Sequence, residues 1–126
     1  MSYTAEQMQA MHNKLMQELI SKTKDTGWIE ATLANGKRAS YTGYRKVGNT
    51  VYLRGKIKDI SATGTVLFYL PEEYIPEQSC SIVCGGNGSN HGLIGITNSG
   101  SVILNGYSAN IATGNLVHLD GISFVV

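Results

Sequence analysis

The chain has 126 residues, 15% of them charged, and a formal net charge of +1. That length allows one domain with a small appendage. Near-neutral charge, with Lys and Arg scattered rather than striped, argues against nucleic acid or an anionic membrane as partner. Fifteen glycines, seven tyrosines and abundant Asn, Ser and Thr point to a β-rich protein whose loops carry hydroxyls and amides.

The N-terminal residues, Met-Ser-Tyr-Thr-Ala-Glu-Gln, show neither a basic region nor an apolar stretch of signal-peptide type. No run approaches the ~18 apolar residues of a membrane helix. The expectation is a soluble protein made in a cytoplasm. Thr4 with Gln7 forms a capping-box pattern, and residues 5–24 contain no Gly or Pro, which predicts a helix ending before Gly27. Its apolar positions, Met8, Met11, Leu15, Met16, Leu19 and Ile20, fall by threes and fours on one face. Met8, Met11, Leu15 and Leu19 are the expected seam of a self-associating stalk, residues 1–26; folding back onto the rest of the chain is the alternative. His12 beside that seam would form a hydrated or hydrogen-bonded layer in a threefold bundle rather than an ion site.

From Trp28 the pattern changes to period two, and residues 27–126 are expected to form the β head. Trp28–Leu33 reads as a strand closed by the Asn35-Gly36 hairpin turn, and Arg38–Val47 as its partner. After Gly48-Asn49 the alternation is clean: Val51, Leu53, Gly55 and Ile57 on one face, Tyr52, Arg54, Lys56 and Lys58 on the other. Val66–Leu70 is a continuous apolar run, hence a buried strand. Both prolines follow, Pro71 and Pro76, making a stiff crossover from which Tyr74 and Ile75 pack back on the core. Ser79–Cys84 is a strand, residues 85–92 a Gly-rich loop, residues 93–97 and 101–105 a hairpin, residues 105–115 a polar loop, and residues 116–126 the last strand. The fold class is therefore mainly β: an N-terminal helix, then an antiparallel sandwich or barrel of about eight strands.

Catalytic and metal-binding patterns are missing. Cys80 and Cys84 would lie ~13 Å apart along one strand, too far for a disulfide, and read as two free thiols. There is no nucleophile elbow, no paired carboxylates outside the solvated crossover, and no zinc-ligand spacing. His118 and Asp120, two apart on a strand, read as a surface or interface pair rather than a catalytic one. No enzyme activity, cofactor or metal is expected.

Several segments together resemble tail-fibre and baseplate receptor-binding proteins of tailed phages, especially those of Gram-positive hosts. They are Gly27-Trp28 after a short helix, Tyr44–Gly55, Leu67–Pro76 with its Leu-Pro-Glu-Glu-Tyr-Ile-Pro motif, Ile94–Val102 and Val117–Phe124. The resemblance implies a homotrimer in which a helical stalk carries β heads that adsorb to a cell-wall saccharide or teichoic acid. It also implies contacts with other tail or baseplate proteins and a place in the virion. A purely structural decoration protein and a trimeric jelly-roll domain of the tumour-necrosis-factor type are the alternatives.

If the strands run up and down from the helix, the turns at residues 35–36, 61–64, 85–91 and 105–115 share the far end. Those at residues 48–49, 71–76 and 98–100 then share the near one. This parity gathers Asn87, Ser89, Asn90, His91, Tyr107, Ser108 and Asn110 as candidate saccharide ligands, with amides and hydroxyls to hydrogen-bond and a ring to stack.

Overall fold

The computed structural model describes residues 2–112 and 114–126, except the side chains of residues 18–23. The helix α1 runs Ala5–Thr23. Its start is the capping box read from the sequence: the Gln7 N–H donates to Thr4 Oγ1 (3.1 Å) and the Thr4 N–H to Gln7 Oε1 (2.9 Å). Its end falls before Gly27 as expected, but Gly27 is not what stops it. Lys24 leaves helical geometry in an extended conformation, and Gly27 (φ +69°) serves a later turn in which its N–H donates to Asp25 Oδ1. Met8, Met11, Leu15 and Met16 are 55, 49, 63 and 43% exposed. Among the described side chains, then, the apolar face is not covered by the sheets, and folding back is excluded for them. Leu19 and Ile20, part of the predicted seam, lie outside the described side chains.

Eleven strands follow among the described residues: β1 Ile29–Glu30, β2 Lys37–Arg38, β3 Gly43–Val47, β4 Thr50–Arg54, β5 Lys56–Lys58, β6 Thr65–Tyr69, β7 Cys80–Gly86, β8 His91–Ile96, β9 Ser101–Tyr107, β10 Val117–His118 and β11 Ser123–Val125. They form two antiparallel sheets, one ordered β1-β3-β4-β11 and one ordered β2-β5-β10-β7-β8-β9-β6. Side chains from both fill the core. Val51 and Leu53 come from the first sheet; Ile57, Phe68, Ile94 and Val117 come from the second. At roughly 25 cal/mol per Å² of apolar surface buried, such a two-sided core is the main term favouring the fold.

Gly55 explains how one alternating segment serves two sheets. The buried positions Val51, Leu53, Gly55 and Ile57 keep their period, but Gly55 sits at φ +123°. There the chain turns a corner from β4 into β5. A Cβ at Gly55 would lie 2.5 Å from Thr42 Oγ1 and 2.6 Å from the Tyr41 carbonyl, so the corner needs glycine. The corner is clamped by the Asp120 carboxylate, which accepts from the Gly55 N–H (3.0 Å), and by the Leu119 N–H donating to the Gly55 carbonyl.

Two expectations are corrected. Asn35-Gly36 is not a hairpin turn between paired strands: β1 pairs with β3 in the small sheet and β2 with β5 in the large one. Gly36 (φ +84°) instead lets the backbone press against Ile57 and Lys58 as the chain changes sheets. The run from Val66 to Leu70 is not uniformly buried. A bulge between Val66 and Phe68 turns the consecutive Leu67 and Phe68 both inward, and Tyr69 faces out. As expected, Tyr74 packs back after Pro71, edge-on to Tyr44 with ring centroids 4.8 Å apart.

Candidate functional site

The connections sort to two ends. Where the helix leaves, the Gly48 N–H donates to the Lys24 carbonyl, and Lys46 Nζ to the Glu73 carbonyl. There, too, the Leu70 N–H donates to the carbonyl of Gly100. At the other end of the β7–β8–β9 meander the remaining loops meet, and Asn35 Nδ2 donates to Ser61 Oγ (2.9 Å).

Tyr107 is the centre of that far end. Its ring lies against Gly86 and Gly92, where no side chains intervene. A Cβ on Gly86 would collide with the Tyr107 hydroxyl, and one on Gly92 would lie 3.1 Å from the ring. The hydroxyl donates to the Leu116 carbonyl (2.7 Å) and sits 3.2 Å from Asn87 Oδ1. Burial pushes the phenol above its ordinary pKa, so it stays a neutral donor. Asn87 Oδ1 also accepts from the Leu116 N–H (3.0 Å). Beside it the His91 N–H donates to Ser108 Oγ, Ser108 Oγ to Asn90 Oδ1, and Asn90 Nδ2 to Asn115 Oδ1. Asn115 Nδ2 donates to the Asn110 carbonyl.

Six of the seven loop residues named from sequence thus belong to one network, and Ser89 lies on the exposed turn beside it. Much of their capacity goes into holding the loops together. Among the described residues, the Asn87 amide nitrogen, the Ser89 hydroxyl and the His91 imidazole take no part. Two shallow clefts flank Tyr107. One of about 370 Å³ is lined by Ser61, Thr63, Asn110 and Ile111; one of about 280 Å³ by Val83, His91, Leu93 and Ser108.

A larger cleft, about 420 Å³, was not foreseen. It lies on the outer face of the small sheet and is lined by Trp28, Arg45, Val47, Tyr52, Leu53, Arg54, Gly121 and Ile122. The outward alternation of Tyr52 and Arg54 in β4 and the register Arg45↔Tyr52 in the β3–β4 hairpin build it. The legible signal was that alternation next to the single tryptophan of the chain.

The His118–Asp120 pair is a further correction. Asp120 lies beyond β10 and accepts from the Gly55 N–H. Among the described residues no bond joins it to His118, whose Nε2 is buried without a hydrogen-bond partner. Cys80 and Cys84 are free thiols, and burial raises both above the ordinary thiol value. No described helix is long and apolar enough to cross a membrane.

The fold defines a mainly β protein with an N-terminal helix, built from two antiparallel sheets. No protein-family model matches the chain, and no curated protein matches it significantly.

Proposed function

We propose that the chain is a homotrimeric, non-enzymatic virion protein of the phage receptor-binding kind, whose β head binds host cell-surface saccharide through the loop end away from the helix. The observation that carries this reading is Tyr107: an aromatic ring set between two clefts and ringed by amides and hydroxyls, at the end a stalk would leave free. Hydrogen bonds within the loops fix that surface before a ligand arrives, which lowers the ordering cost of binding. The exposed Met8, Met11 and Leu15 support a stalk of several chains, since a lone helix of this length is marginal in water. Such a protein would meet tail or baseplate partners in the virion.

A glycan array probed with the full chain tests the function. Binding is expected, with loss on His91→Ala or Asn87→Ala and no release of reducing sugar. A silent array would leave a structural decoration protein, the reading favoured by how many loop amides are bonded to one another.

A further inference from the structure

Three side chains from separate strands and connections are stacked on the outer face of the small sheet. The Arg54 guanidinium carbon lies 4.6 Å from the centroid of the Trp28 ring and 4.8 Å from that of Tyr41. The Arg45 guanidinium is 6.0 Å from the Trp28 centroid. Gly43 makes the stack possible, because a Cβ there would lie 2.8 Å from the Tyr41 ring and collide with the Ile29 carbonyl oxygen.

The two arginines are in different states. Arg45 is committed: it forms a two-pronged ion pair with Asp25, which holds that carboxyl down at about 2. The other local carboxylates are also engaged, Glu30 with Arg38 and Asp120 with the Gly55 N–H. The Arg54 guanidinium lies against the two aromatic rings. Among the described residues that guanidinium has no ion pair and no hydrogen bond, so its N–H donors are unspent. An aromatic-stacked guanidinium with free edges is the geometry that takes a carboxylate or phosphate bidentately. The cleft beside it is lined by Leu53, Ile122, Trp28 and Tyr52 among others, apolar and aromatic surfaces that suit the C–H face of a sugar ring.

We propose that this cleft binds an anionic saccharide: the sugar ring packs on Trp28, and Arg54 reads a carboxylate or phosphate on it, with the Arg45–Asp25 pair holding the wall. The chain's +1 net charge marks this as a local site rather than a general affinity for polyanions. It lies on a sheet face, apart from the Tyr107 loop end, and stands or falls independently of that end.

Trp28 is the only tryptophan, so its emission reports on this cleft alone. The test is a fluorescence titration of the full chain with D-glucuronate, glucose 6-phosphate, glucose and inorganic phosphate. A saturable response is expected from one or both anionic sugars, about ten-fold or more tighter than from glucose or phosphate. Arg54→Gln is expected to weaken it by about ten-fold or more, Arg54→Lys by less, and His91→Ala not at all. Should Arg54→Gln fail to fold by circular dichroism, Arg54→Lys and loss of the response at high salt decide the role of charge. Equal responses to glucose and glucuronate, or none to any probe, overturn the proposal. A phosphate response as strong as that of the phosphosugar removes the saccharide from it. Trp28 shielded from acrylamide at high protein concentration and exposed on dilution, without a sugar response, makes the cleft a contact between copies and likewise overturns it.

Discussion

Gly55 occupies the position in this molecule that has least room for change. Its positive φ, the Thr42 side chain and the Tyr41 carbonyl around its α-carbon, and the Asp120 bond to its N–H all act on one residue. Gly55→Ala should therefore destabilise the head by about 2 kcal/mol or more, combining left-handed strain with overpacking. Urea unfolding of the two proteins side by side checks it; an unchanged midpoint would mean the corner is looser than its contacts imply. In the sequence Gly55 looks like one more inward position of an alternating strand, and it is inward. What alternation does not encode is its φ, nor that its two sides join different sheets. Trp28, Tyr41 and Arg54 escaped notice for a related reason. Each is ordinary in its own segment, and only the lateral pairing of β1 with β3 and of β3 with β4 brings them together.

Among the elements, the helix was the most legible, because what starts it is local. Thr4 and Gln7 are three residues apart and bond to each other. Thr4→Ala should cost about 1 kcal/mol of helix stability and lower the 222 nm signal of the full chain, leaving Trp28 emission unchanged. A drop in both would tie the helix to the head more closely than the exposed Met8, Met11 and Leu15 imply. Asn35-Gly36 is the opposite case. Its dipeptide chemistry correctly marks a left-handed glycine, but the same chemistry serves a hairpin or a change of sheet. The choice is made by Leu33 pairing with Phe68 and by Lys37 pairing with Lys58, both well beyond the turn. The loops at Tyr107 were easier, since successive connections of an antiparallel meander alternate between its two ends.

For the whole molecule, the property with the largest consequence is how many chains share a particle. Light scattering on the full chain should give the mass of a trimer. Met11→Lys with Leu15→Lys should reduce that mass while β-sheet content is retained, because the charges would fall on the apolar face of the helix. A monomeric wild-type chain would end the stalk reading and, with it, the proposed receptor-binding role. The anionic-saccharide cleft would survive that result, since all its residues come from one chain.

The place of β10 has a consequence in time as well as in space. Val117 and His118 pair with β5 on one side and β7 on the other, so in the strand order they join the β2-β5 pair to the β7-β8-β9-β6 group, with the Leu33–Phe68 bridge as a second tie between them. A ribosome making this chain releases the helix before the strands, and the joining strand only after β9. Between the emergence of β9 and that of β10, the edges of β5 and β7 that β10 will cover are open. On the proposed stalk reading, chains pair by their helices before β10 emerges and close their heads side by side. A ribosome stalled before Val117 would instead hold out raw strand edges, and that interval is when this protein is most exposed to aggregation.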